Sequence, residues 1–251
     1  MNNTHRYFIE LAFNGSKYHG WQIQKNAISV QEILNKALST LLRQPIETVG
    51  CGRTDTGVHA TQLYAHFDTS EEIDTREGRF NFRLNSLLPY DLTVKRIIKV
   101  APDAHARFDA IRRSYQYHVH FYKDPFRHER SWLLREQPDM ELMNQAAQIL
   151  LEYRDFSCFS RSNTQTFTNN CVINLAQWVE IENGIVFHIS ADRFLRNMVR
   201  AIVGTLMEVG KRKIKPEDIR QIIESKNRSN AGASVPACGL YLTEVVYPYP
   251  L

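Results

Sequence analysis

Tyr7, Ile9, Leu11 and Phe13 alternate with Phe8, Glu10 and Ala12, the two-residue period of a strand over 7–13. Asn14-Gly15 predicts a turn after it. The period then changes. Val30, Ile33, Leu34, Ala37, Leu38, Leu41 and Leu42 have the spacing of a helix with one buried face. Ser29 is its expected N-cap, Glu32 completes a capping box, and Pro45 prevents continuation. Residues 48–49 and 63–67 predict strands bracketing a glycine-rich loop, and Asn85-Ser86-Leu87-Leu88-Pro89-Tyr90-Asp91 predicts a turn before a strand at 92–100.

The second half repeats this grammar. A strand is expected at 115–121, a helix at 140–151, and a hairpin of 176–181 with 186–189 around Asn183-Gly184. A long helix is expected over 194–209, ended by Gly210 in a left-handed position, then a shorter helix at 216–225 and a last strand at 240–246. Strands interleaved with helices, twice over, predict an α+β protein of two similar halves, 1–104 and 105–251. The longest irregular stretch is 160–171.

Composition narrows the class. The chain has 251 residues, 43% hydrophobic and 23% charged, which is ordinary globular usage. No segment approaches the roughly 20 uninterrupted apolar residues of a membrane span. Met1-Asn2-Asn3-Thr4-His5-Arg6 lacks the apolar core of a secretory signal. Cys51, Cys158, Cys171 and Cys238 lie far apart and read as reduced thiols, so cytoplasm is the expected address. The net charge of +4 is compatible with a nucleic-acid partner without requiring one. Its distribution says more: acidic residues crowd into 71–77 (Glu71, Glu72, Asp74, Glu77), while arginines gather at 107–113, 127–130 and 193–200. With eleven tyrosines in the chain, the clustered basic surface is a mild RNA signal.

Chemistry concentrates in Gly50-Cys51-Gly52-Arg53-Thr54-Asp55-Thr56-Gly57-Val58-His59-Ala60. Its glycines allow tight turns and close backbone approach to a ligand. The residues alone leave two readings of Asp55: a functional carboxylate, or an aspartate bonding its own backbone in a turn. Arg193, Arg196 and Arg200 fall at i, i+3 and i+7, one face of the predicted helix. Either that face is solvated, or Arg200, inside Met198-Val199-Arg200-Ala201-Ile202-Val203, is buried and needs a partner. His118 and His120 alternate on one strand face, but no carboxylate or cysteine accompanies them, so no metal is expected there.

Gly52-Arg53-Thr54-Asp55-Thr56-Gly57-Val58-His59-Ala60 resembles the signature loop of the tRNA pseudouridine synthase A (TruA) family. The resemblance extends in order over most of the chain. It includes Gly20-Trp21-Gln22-Ile23-Gln24 with Ser29-Val30-Gln31, Asn85-Ser86-Leu87-Leu88-Pro89, and His105-Ala106-Arg107-Phe108 with Tyr115-Gln116-Tyr117. It continues through Phe194-Leu195-Arg196-Asn197-Met198-Val199-Arg200 to Gly239-Leu240-Tyr241-Leu242.

The resemblance implies two ferredoxin-like or RRM-like halves forming one continuous, mostly antiparallel sheet flanked by helices, with a central cleft. It implies detachment of uracil from C1′, rotation, and rejoining through C5, without cofactor or metal, at uridines 38–40 of the tRNA anticodon stem-loop. Asp55 maps onto the essential ionised carboxylate, whether that adds covalently or removes the C2′ proton. Arg200 maps onto its cation partner and Tyr115 onto the residue that stacks on the flipped base, its hydroxyl available for the C5 proton. Arg53, Arg193 and Arg196 are candidate RNA contacts. A homodimer binding tRNA, with no membrane, is expected. One departure stands out: Thr168-Asn169-Asn170-Cys171-Val172-Ile173 has no arginine where the family usually carries a basic residue before a strand. The rival reading is a non-catalytic RNA-binding protein on the same fold. Nucleoside hydrolysis is disfavoured, since the loop offers one carboxylate where such chemistry usually takes two or a metal.

Overall fold

The computed structural model describes residues 4–75, 78–160 and 168–251. Glu77 of the acidic stretch, and 161–167 of the long irregular stretch, lie outside the described residues. The fold is α+β, as expected, with nine strands and five α-helices among the described residues. The chain divides into two compact units, 1–111 with 242–251, and 112–241.

In the first unit, β1 (His5–Phe13) lies between two antiparallel neighbours, β3 (His59–Thr69) and β4 (Leu92–Lys99). Ile9 faces Ala65 on one side and Ile97 on the other. β2 (Val49–Gly50) adds to β3. The alternation in β1 predicts one apolar face, yet Phe8 and Glu10 are buried as well. The second face is covered by residues 242–251: Phe8 meets Tyr247 edge-on, with ring centroids 5.2 Å apart. Gln62 Oε1 accepts from Val245 N–H (2.9 Å), Tyr247 hydroxyl donates to Ala106 O (2.6 Å), and Arg96 Nη1 donates to Leu251 O (3.1 Å). Beneath this segment Glu10 receives Arg96 Nε (2.7 Å), Tyr64 hydroxyl (3.0 Å) and Gln62 Nε2 (3.2 Å). Burial alone would raise the Glu10 carboxyl, but these donors hold it below the usual range.

α1 (Val30–Leu42) forms as its period predicts, and Ser29 Oγ accepts from Glu32 N–H (3.3 Å). It ends on Arg43, which is left-handed at φ 54°. α2 (Arg79–Asn85) has no counterpart in the sequence reading, because Leu84 is its one buried residue and no apolar period exists to be seen. Asn85 then brackets β4, donating to Val94 O and accepting from Val94 N–H, each at 2.8 Å.

In the second unit, β5 (Arg112–His120) and β7 (Ile173–Ile181) flank β8 (Gly184–Ala191), all antiparallel. The expected hairpin turns at Asn183 (φ 56°). β6 (Trp132–Leu133) adds to β5 in parallel. α3 (Met140–Ile149), α4 (Met198–Gly210) and α5 (Asp218–Glu224) complete the unit, and β9 (Leu240–Val246) runs from the second unit into the first.

Two expectations about α4 are corrected. It begins at Met198, not at Phe194, because Asn197 takes the left-handed conformation (φ 66°), its amide donating to Ser234 Oγ (2.5 Å). Gly210 is helical, and Arg212 holds the left-handed position (φ 57°). A glycine is needed at 210 for room: a Cβ there would lie 2.4 Å from Met143 Sδ and 2.8 Å from Pro138.

Candidate active site

Asp55 lies half-buried in the loop between β2 and β3, and its carbonyl accepts from Val58 N–H (3.1 Å) to close the turn. Main-chain bonds from residues 15–21 hold this loop. Tyr18 O accepts from Gly57 N–H (3.2 Å), Thr54 O accepts from Trp21 N–H (3.4 Å), and Gly15 N–H donates to Nδ1 of buried His59 (2.9 Å). Tyr18 is itself fixed, its hydroxyl donating to Asp91. Burial and that carboxylate hold the phenol above its ordinary pKa.

The approach of the two segments is closer than any side chain allows. A Cβ on Gly15 would lie 2.0 Å from Val58 O, and one on Gly20 would lie 2.2 Å from Thr54 O. Gly20 also sits at φ +83°, where an L side chain is strained. Gly50 meets the Trp21 indole in the same way, at 2.4 Å. Gly52 is different: its φ is not positive and a Cβ would meet nothing within 4 Å. Arg53 is exposed beside it, and Thr54 Oγ1 is buried with no hydrogen-bond partner among the described residues. The turn reading of Asp55 and the functional reading are therefore both compatible with the backbone. The turn fixes the main chain that carries the carboxylate.

The second unit carries the other residues singled out. Tyr115 projects half-buried from β5 opposite Ile189 of β8, with the Phe194 ring edge-on to it at 5.1 Å. Arg193 and Arg196 precede α4, so they are not on one helical face with Arg200. Arg193 is half-buried, its N–H donating to Asp192 Oδ1 (2.7 Å), and Arg196 is exposed. Arg200 stands in the first turn of α4, half-buried, its Nε donating to Val235 O (2.8 Å). The segment supplying that carbonyl is pressed against α4: a Cβ on Gly204 would lie 1.8 Å from Ala233 O, and Gly232 N–H donates to Thr205 Oγ1 (2.9 Å).

The structure thus groups Asp55 with Arg53 in one unit, and Tyr115 with Arg193, Arg196 and Arg200 in the other. Sequence reasoning missed the roles of Tyr18, Trp21 and His59 as supports of the Asp55 loop, and of Phe194 as the support of Tyr115. Gly20-Trp21 was the available signal. Burial pushes the Cys158 and Cys171 thiols up to about 12, so neither is a nucleophile at neutral pH. His118 Nε2 bonds Gln116 Oε1 (3.0 Å), His120 is buried, and among the described residues no cluster of three His, Cys, Asp or Glu could hold a metal. No helix among the described residues is long and apolar enough to cross a membrane.

Comparison with known proteins bears on what this carboxylate, aromatic face and set of guanidinium groups do. A family model described as tRNA pseudouridine synthase matches residues 146–248. The chain is 49% identical over 249 residues to tRNA pseudouridine synthase A of Parabacteroides distasonis, covering 98% of this chain and 97% of that protein. It is 51% identical over 246 residues to the protein of that name in Bacteroides thetaiotaomicron (97% and 91% covered). To that of Acetivibrio thermocellus it is 40% identical over 240 residues (94% and 97% covered).

Proposed function

The chain belongs to the tRNA pseudouridine synthase A family, isomerases that convert uridine to pseudouridine in tRNA, and from that premise we propose that Asp55 is its essential carboxylate. The substrate uridines are those at 38–40 of the anticodon stem-loop. The base leaves its stack to be modified, at a cost of a few kcal/mol that stacking on Tyr115 offsets by ~1–3 kcal/mol. Arg200 supplies the cation that Asp55 requires once RNA excludes water. Arg53, Arg193 and Arg196 contact the RNA backbone. The N-terminal half (1–104) delivers the carboxylate, and the C-terminal half (105–251) delivers the aromatic face and the arginines. The enzyme acts as a cytoplasmic homodimer without cofactor.

The observation that carries this reading is the loop itself. Several main-chain bonds and two close glycine contacts fix the Asp55 backbone, so the ordering of the loop is complete before substrate arrives. In the reaction the C1′–N1 bond breaks, C1′–C5 forms, the C5 hydrogen leaves to solvent and N1 takes up a proton in its place. Release of tritium from tRNA labelled at uracil C5 therefore reads the chemistry directly. Asp55→Asn keeps shape and removes charge, so release should cease while tRNA affinity stays within a few-fold, since phosphates dominate RNA affinity. A variant keeping more than about a tenth of the rate, ~1.4 kcal/mol in barrier, removes Asp55 from the mechanism. Wild-type protein that binds tRNA but releases no tritium would point to the non-catalytic RNA-binding reading.

A further inference from the structure

On the first unit, α1 and α2 pack together and leave between them a pocket of about 350 Å³ lined by Thr40, Leu41, Arg43, Arg83, Ser86 and Leu87. We propose that this pocket is a second docking surface for tRNA, separate from the Asp55 loop, in which Arg43 and Arg83 hold the phosphodiester backbone. The proposal rests on the family reading of the substrate as tRNA.

Three observations carry it. First, Arg43 and Arg83 are exposed and line one pocket from two helices, and neither pairs with a carboxylate among the described residues. Lys36 lies on the same stripe of α1 as Thr40 and Arg43, again with no such partner. Two exposed guanidinium groups in one pocket, with no carboxylate among the described residues bonded to either, suit an anionic partner.

Second, Arg43 holds the left-handed position at the end of α1, φ 54°, where glycine is the residue that fits without strain. A cation near a helix C-terminus is favourable, which accounts for the sign of the charge. It does not account for accepting a strained backbone to place an arginine there.

Third, α2 presents Arg79, Phe82, Arg83 and Ser86 outward at i, i+3, i+4 and i+7. Phe82 is 76% exposed and Leu87 48%. Aromatic and apolar side chains interleaved with arginine provide ring faces beside phosphate-binding groups, the combination that nucleic acid fits best.

The test is tRNA binding by the Arg43→Gly/Arg83→Gln variant, followed by anisotropy of labelled unmodified tRNA over a range of salt. Glycine relieves the left-handed strain, so the variant should melt no lower than wild type. Its affinity should nonetheless fall about tenfold at moderate salt, with a log–log salt slope shallower by roughly 1.5, as loss of two phosphate contacts requires. Should the pair melt early, Arg83→Gln alone should show about half that change in slope. Unchanged affinity and slope would overturn the proposal. So would sedimentation showing an altered oligomer with tRNA binding per protomer intact, which would assign the surface to a second copy of the chain. If wild-type protein binds no tRNA, the underlying family reading fails and this proposal falls with it. If wild type binds and the variant matches it, only the second surface is lost.

Discussion

The backbone of the Asp55 loop is held by main-chain atoms, whereas Tyr115 and Arg200 are held at their side chains. The Asp55 loop is irregular, and residues 15–21 hold it through amides, carbonyls and glycines too tightly packed for a methyl group. Tyr115 and Arg200 instead stand on a strand and a helix, and are anchored by the Phe194 ring and the Val235 carbonyl. An aspartate has two rotatable side-chain bonds, so a fixed backbone removes a larger share of its freedom than it does for a longer side chain. An arginine has more, and a regular element beneath it is not enough without a partner for the guanidinium. Backbone changes should therefore be severe in the first unit, and side-chain changes in the second.

Gly20→Ala is the strongest test of that contrast. The added methyl meets the Thr54 carbonyl at a φ hostile to alanine, so the loop has to shift. Displacement of about 1 Å can cost ~10²-fold in turnover, and the strain of order 1–3 kcal/mol should lower the melting temperature. Tritium release near the wild-type rate would show that the main-chain cradle does not position Asp55.

Arg200→Met should come next. If Arg200 serves Asp55, removing one partner of the half-buried pair should lower the melting free energy, by less than the ~3–5 kcal/mol of a fully buried pair. Adding Asp55→Asn should then recover part of that loss in a double-mutant cycle of melting free energies. Additive losses would detach the two residues and leave Arg200 as an RNA contact.

A weaker effect belongs to the first unit alone. Burial, followed by the neighbouring His105 and Arg6 charges, lowers His66 to about 4. Between about 4 and the ordinary value of 6.5 the unfolded chain takes up a proton that the folded His66 refuses, so stability falls as pH drops through that window. The loss should be of order 2–3 kcal/mol. His66→Gln should flatten it, keeping an acceptor for Ala106 N–H (3.1 Å from His66 Nδ1). An equally steep fall in the variant would assign the acid sensitivity elsewhere.

Gly52→Ala should barely alter stability, because nothing lies within 4 Å of the new methyl. Its effect on KM then reports whether RNA passes over Gly52. A wild-type KM would mean that it does not.

Where structure is local, it was legible. The N-cap and period of α1, the Asn183 hairpin and the last strand are written in neighbouring residues. α2 was not legible, since it buries one side chain. The start of α4 was hidden because Asn197 turns left-handed within an apolar-looking run, and its partner Ser234 is 37 residues away. The Asp55 loop announced itself through its glycines, but of its supports Gly20-Trp21 was the one signal: Tyr18 and Trp21 hold the loop from more than thirty residues upstream through backbone hydrogen bonds.

The return of residues 242–251 to the first unit has a consequence for biosynthesis. A ribosome makes residues 1–111 first, yet β1 keeps Phe8 and Glu10 without their cover until Tyr247 and its neighbours emerge. All of 112–241 must be translated in between. The unit that begins first is therefore completed last, and the nascent chain carries a half-covered strand while the later unit is made. Domains generally fold as units in order of emergence. In this chain the later-made unit is the one able to close first.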